Sequence, residues 1–413
     1  MGIGRQARAR LSGAGRTATV LLATLCLAAC GTIARPDPVA LRLVPGELTT
    51  APDPRIRADD EAALTALMES FAARMSTADG RLDILALSGG GANGAFGAGV
   101  LVGWSESGTR PRFDIVTGVC TGALAAPFAF LGPDRDDELR AAYAEGGTEG
   151  LLGWRSLRAF AAPSLFSPDA LRRLVEQAVT PDLLREIAAQ HASGRRLLVV
   201  TTNLDSQETV IWDMGVLATQ GDAQALALFR QVLLASASIP GLFPPAMIAG
   251  VTDGRVVEEM HVDGGVNTPF LGVPESLLLW TRPDTARGSS ALYVLVNGQV
   301  DRDYRVTRGR LPAILARSYD SMSKASLRTH LAANATFAER NGIVLRVAAI
   351  PVEVEASSLD FDQDSMAALF ELGRGRGATG DAWSRIDSGA TAPAPADAEP
   401  APTNPGANPV DPQ

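Results

Sequence analysis

DIVTGVCTGALAAPF, residues Asp114 to Phe128, joins an apolar strand-like run to a segment of small residues with helical character. Between the two, Gly118-Val119-Cys120-Thr121-Gly122 fits G-x-S-x-G, the tight strand-to-helix turn that lifts a nucleophile clear of a sheet. Cysteine stands where that pattern carries serine. Gly118, Gly122 and Ala123 suit such a turn, because larger side chains there would strike the strand or the helix. Cys120 falls at the expected helix start, where the dipole favours a thiolate. A buried structural cysteine is the competing reading of a lone free thiol, and the placement between two glycines after a strand favours the nucleophile.

Upstream, LSGGGANGAFGAGVL (Leu87 to Leu101) places a glycine cluster between a strand and a helix. Backbone N–H groups in such a loop converge on an anion, helped by the helix N-terminus. Gly89-x-Gly91-x-x-Gly94 matches a dinucleotide pattern, but the acidic residue expected about 20 positions later is missing. The other use of the loop is an oxyanion hole for acyl transfer. Downstream, HVDGGVNTP (His261 to Pro269) sets Asp263 between a short apolar run and two glycines. Alone, D-G-G is only a turn signal.

Strand candidates are 82–87, 113–119, 197–202, 209–212, 260–262, 292–296 and 343–348, with a polar turn, NLDSQE, between the third and fourth. Helical stretches fall at 135–145, 168–192, 222–237 and 311–340, and an amphipathic helix at Asp59 to Met75. Strands alternating with helices predict an α/β domain whose sheet is covered on both faces. The uncharged run Val232 to Val251 is interrupted by Pro240, Pro244 and Pro245, which predicts a loop packed on the core instead of a membrane span.

These landmarks resemble, in order, the patatin-like acyl hydrolases, which include bacterial patatin-like phospholipases. The resemblance covers about Leu82 to Gly298 and rests on Gly89-Gly90-Gly91-x-x-Gly94, the elbow at Gly118 to Gly122, ASASIPGLFPP (Ala235 to Pro245) and Asp263-Gly264-Gly265. It implies a modified α/β-hydrolase, a three-layer sandwich around a mainly parallel sheet. It further implies a nucleophile–Asp dyad of Cys120 and Asp263, with Asp263 as general base and Gly89, Gly90, Gly91 and Gly94 as the oxyanion loop. The activity implied is lipid acyl-ester hydrolysis, with phospholipid or another acyl ester as substrate and no cofactor. Asn93 stands where the family usually carries Arg or Lys, and Cys120 where it carries serine. Two other readings are a Cys-His-Asp enzyme of the dienelactone-hydrolase kind using His330, and a non-catalytic envelope lipoprotein on the same fold. The chain holds only three histidines, His191, His261 and His330, which favours a dyad.

The ends read differently from the middle. Arg5, Arg8, Arg10 and Arg16 precede the apolar stretch Thr17 to Ala29, a signal-peptide pattern over 1–29 that ends in Leu27-Ala28-Ala29-Cys30. That ending resembles a bacterial lipobox, so Cys30 is the expected lipidation site and an anchored envelope protein, at the outer membrane, the expected location. Residues 30–58 read as a tether, 59–387 as the hydrolase domain and 388–413 as a disordered Pro/Ala-rich tail. With Cys26 removed and Cys30 acylated, Cys120 has no disulfide partner. Loss of the four signal arginines takes the net charge from −9 to −13. Such a balance argues against nucleic-acid binding and against electrostatic adsorption to anionic lipid. No Cys/His cluster has metal-ligand spacing.

Overall fold

The computed structural model describes residues 53–57, 62–67, 69, 81–145, 169–252, 255–281 and 290–386. The expected signal peptide, Cys30 and the tail from 388 lie outside them, as do residues 59–61, 68 and 70–75 of the expected entrance helix, whose described part is helical at 62–67. The strands are β1 (Arg55–Arg57), β2 (Asp83–Leu87), β3 (Ile115–Val119), β4 (Arg196–Asn203) and β5 (Glu208–Asp213). After them come β6 (Ala246–Thr252), β7 (Arg255–Asp263), β8 (Ala291–Val296), β9 (Val344–Ala349) and β10 (Ser384–Arg385). The α-helices are α1 (Gly94–Glu106), α2 (Thr121–Leu131), α3 (Asp136–Tyr143), α4 (Asp169–Ala178) and α5 (Pro181–Ala192). They continue with α6 (Met214–Gln220), α7 (Ala223–Ser236), α8 (Leu311–Arg340) and α9 (Gln363–Thr379).

One sheet runs β1-β5-β4-β3-β2-β8-β9-β10, and the hairpin β6–β7 joins it where β7 pairs with the end of β4. From β4 through β3, β2 and β8 to β9 all neighbours are parallel, and the outer strands pair antiparallel. The central strands β2, β3 and β8 are buried on both faces, as their mostly apolar runs require. Leu85, Leu87 and Val199 join one core, with α1, α2 and α7, while Ile84, Ala86 and Val200 join the other, under the second half of α8. The result is the expected three-layer α/β arrangement with a mainly parallel sheet.

Four features depart from the sequence reading. The tether ends early: Arg55–Arg57 adds an edge strand to β5, and Arg55 reaches Asp53 at 2.7 Å and Glu259 at 3.4 Å. The stretch 168–192 is two helices, because Thr180 caps the second through Leu183 N and Pro181 takes its first turn. The run Val232 to Val251 divides into the end of α7, a proline-bounded loop and strand β6. Finally, α9 packs on α1 through paired glycines: a Cβ at Gly99 would lie 2.0 Å from Phe370 O, and one at Gly373 2.2 Å from Phe96 O. Only glycine permits that approach. Among the described residues no helix is long and apolar enough to cross a membrane.

Candidate active site

β2 and β3 are parallel neighbours at the centre of the sheet, so their C-terminal ends deliver the glycine loop and the elbow side by side. Immediately after β3, Cys120 takes φ 54° and ψ −123°, and α2 starts at the next residue. A side chain other than glycine at positive φ is strained, and here it marks the sharp elbow. The flanking glycines are sterically forced. A Cβ at Gly118 would lie 2.6 Å from Ala123 Cα, and one at Gly122 2.5 Å from Leu87 O. Ser236 at the end of α7 holds the turn from below: Cys120 N donates to Ser236 Oγ at 3.0 Å, and that hydroxyl donates to Val200 O at 2.7 Å.

β7 ends at Asp263, whose carboxylate is 4% exposed and accepts from Gly265 N at 2.7 Å. β7 pairs with β4, opposing Asp263 to Thr201, and β4 is the neighbour of β3. That register carries the carboxylate across to the elbow, where it accepts a hydrogen bond from the Cys120 thiol. The sulfur also receives the amides of Gly90 and Gly91.

The four glycines of the expected oxyanion loop therefore separate. Gly89 N is committed to Pro269 O at 3.1 Å and Gly94 N turns back to Gly91 and Ala92 carbonyls, so only Gly90 and Gly91 offer their amides to the site. Gly94 instead admits a close approach, since a Cβ there would lie 2.2 Å from Thr121 Oγ1. Gly91 has φ +55° and its Cβ would lie 2.1 Å from Ser358 O, so the loop conformation requires glycine there. Asn297 at the end of β8 clamps the loop, donating from N to Ser88 Oγ and from Nδ2 to Ser88 O, both at 2.8 Å.

Electrostatically the pair is poised in one direction. Burial, then the Asp263 charge and hydrogen bond, hold the Cys120 thiol well above its usual range, while the Gly90 and Gly91 amides pull it down. Burial pushes the Asp263 carboxyl up to about 6, against the opposing pull of Gly265 N and the thiol. At neutral pH the resting site thus holds a protonated thiol beside an ionised carboxylate.

No histidine among the described residues takes part. His261 is buried on β7 against Thr201 and Glu259, His191 faces Asp213, and His330 Nδ1 is 2.9 Å from the Ser326 carbonyl of its own helix. A Cys-His-Asp arrangement through His330 has no support in this geometry.

The elbow, the glycine loop and the carboxylate all fall within residues 85–273, which match the family model described as patatin-like phospholipase. Residues 85–273 thus form a patatin-like phospholipase domain. The family is generally one of lipid acyl hydrolases. Among solved structures the chain is similar to VipD from Legionella pneumophila, at 14% identity over 74% of this chain and 68% of that one, with TM-score 0.36. It is also similar to the type III effector ExoU, at 12% identity over 74% of this chain and 55% of that one, with TM-score 0.30. The chain therefore spans little more than half of ExoU's length. No curated protein matches it.

A cavity lined by Cys120 and Gly91 also runs between α2, α4 and α7. Its walls are almost wholly apolar, including Leu124, Phe128, Leu171, Val175, Leu233 and Phe243. Nothing in the elbow motif announces this cavity, because its walls come from helices far apart in sequence. Ser236 lies within a stretch that carries the family resemblance, yet its role as prop of the elbow appears only in three dimensions. Tyr319 on α8 is a further neighbour unsignalled by any motif. Its phenol lies within electrostatic range of Asp263 and Cys120.

Proposed function

We propose that the chain is an acyl hydrolase working through a Cys120–Asp263 dyad, with the Gly90 and Gly91 amides as oxyanion donors and the apolar cavity as acyl-chain site. The observation that carries this reading is the convergence on one sulfur, at a strained positive-φ elbow, of a carboxylate and two loop amides. Asp263 takes the thiol proton as sulfur attacks the substrate carbonyl, and the oxyanion forms beside the donors that hold the resting sulfur. Collapse breaks the bond to the leaving group, which receives the proton from Asp263, and leaves an acyl-thioester at Cys120. Water then attacks that thioester, gives its proton to Asp263, and the expelled sulfur recovers it as the fatty acid departs.

The cysteine narrows the substrate range. In the tetrahedral intermediate a thiolate leaves more readily than an alkoxide, so ordinary alkyl esters return to starting material. Aryl esters and acyl thioesters, whose leaving groups match sulfur, go forward. The adjacent carboxylate also disfavours a preformed thiolate, in contrast to the imidazolium partner of most cysteine hydrolases. The native chain is therefore expected to turn over long-chain aryl esters and to be slow on phospholipid, and Cys120→Ser to gain at least tenfold on phospholipid. Fatty-acid release from phosphatidylglycerol by both proteins tests this. A correctly folded Cys120→Ser variant with no gain refutes a site that is merely handicapped and favours a non-catalytic module.

An envelope location with lipid at Cys30 is part of the same proposal, supported by the basic, then apolar, then LAAC order of residues 5–30. Metabolic labelling with a palmitate analogue, lost in Cys30→Ser, tests it.

A further inference from the structure

Beyond the site, α8 has two unlike halves. Leu327, Leu331, Ala335 and Ala338 are buried against the sheet, whereas none of the described side chains from residues 311 to 326 is buried. That free half is about 24 Å long at the helical rise, and one face of it is apolar. Leu311, Leu315, Tyr319 and Met322 recur at spacings of four, four and three and are all exposed, with Ile314 beside them. The segment leading into it exposes Tyr304 and Val306. A cluster of large apolar side chains this dense marks a surface that meets another phase or partner.

The charge around the stripe identifies the partner. Arg302, Arg305, Arg308 and Arg310 are exposed, and none forms an ion pair among the described residues. The acids nearby are mostly spent: Asp303 and Asp320 are bridged by Arg317 and Lys324 at 2.8–3.7 Å, leaving Asp301 as the one acid in the segment without such a bridge. An acidic protein thus presents one locally basic, apolar face. Tyr319 of this stripe is also within electrostatic range of Asp263 and Cys120.

We propose that residues 302–322 dock on an anionic phospholipid bilayer, the four arginines meeting headgroups and the Leu311–Met322 stripe entering the acyl boundary. Docking brings the lipid surface to this face of the chain. The proposal rests on the acyl-hydrolase reading for its purpose, but not for its measurement.

The test uses the full chain with Cys26→Ser and Cys30→Ser, which removes the acyl anchor, and an environment-sensitive fluorophore on Met322→Cys; Cys120 remains, buried. A label at 322 reports entry of this helix into lipid whatever else attaches the chain. On vesicles of phosphatidylcholine with phosphatidylglycerol the emission is expected to shift to the blue and brighten. Replacing Arg302, Arg305, Arg308 and Arg310 together with Gln is expected to raise the lipid concentration at half-shift at least tenfold, since each basic group near such a surface contributes about fivefold at low salt. No shift on anionic vesicles, or the same shift on pure phosphatidylcholine with no effect of the arginine changes, overturns the proposal. So does a blue shift that grows with protein concentration in the absence of lipid, which assigns the face to a second copy. Turnover of a soluble aryl ester by the same proteins separates the two readings. Lost turnover with retained shift counts against the dyad alone, and retained turnover without a shift against docking alone.

Discussion

Asp263→Asn should stabilise the protein, and by an amount that depends on pH. The Asp263 carboxyl is 4% exposed and stands at about 6 in the folded chain against 3.8 for the free group. A carboxyl raised by folding binds its proton more tightly in the native state, so its contribution is fully favourable below about pH 4. That contribution is lost as pH rises through 6. The displacement is worth about 3 kcal/mol once the group is ionised on both sides of the equilibrium. Of that, roughly 1.5 kcal/mol develops between pH 5 and pH 7.5. Asparagine keeps the acceptor for Gly265 N but does not titrate, so Asp263→Asn escapes this cost. Urea unfolding of both proteins at pH 5 and pH 7.5 gives four free energies. In the difference of differences, every contribution common to the two chains cancels. The advantage of the variant should grow by roughly 1.5 kcal/mol from the lower to the higher pH. A constant or shrinking advantage would mean that burial does not burden this carboxylate, and would remove the electrostatic basis of the dyad. Such a residual cost at a reactive site is a familiar exchange of stability for function.

The same group sets the pH dependence of turnover. Hydrolysis of a soluble aryl ester should rise about tenfold per pH unit below 6 and level off above it, as the base ionises; a rate flat from pH 4.5 to 7 would exclude Asp263 as base. Gly91→Ala forces a Cβ to within 2.1 Å of Ser358 O at φ +55°, so the loop must move and its amides with it. The expected loss in kcat is on the order of a hundredfold or more with KM little changed, measured on the same ester, and near-native kcat would relocate the oxyanion site. Val175→Trp fills the apolar cavity between α2 and α7. It should shift preference from long to short acyl esters in a chain-length series, and an unchanged series would place the acyl chain elsewhere.

Much of this fold could be read from sequence because β2, β3, β8 and β9 are mostly apolar runs punctuated by glycine or polar turns. What escaped has physical reasons. β1 has three residues and exists through its pairing with β5, a partner no local pattern reveals. β6 follows Pro244-Pro245, whose turn chemistry masks the strand behind it. α9 carries Gly373, Gly375 and Gly377, which lower helix propensity, and is formed because glycine lets it lie on α1. In the site, Cys120 and its glycines were legible because a single tight turn imposes its needs on five consecutive residues. Asp263 had no such local signature, and only the company of the other landmarks singled it out. The equal weight given to Gly89, Gly90, Gly91 and Gly94 could not survive in three dimensions, since amide direction depends on partners such as Pro269 O. Ser236 and Asn297 act through contacts 116 and 209 positions distant, beyond the reach of any motif.

Mass analysis of the chain trapped with a long-chain p-nitrophenyl ester at acid pH, followed by peptide mapping, bears most directly on the central claim. The prediction is one acyl group in thioester linkage on Cys120, released by hydroxylamine and absent from Cys120→Ala. Ester turnover that persists in Cys120→Ala, or an acyl group found on any other residue, would contradict it.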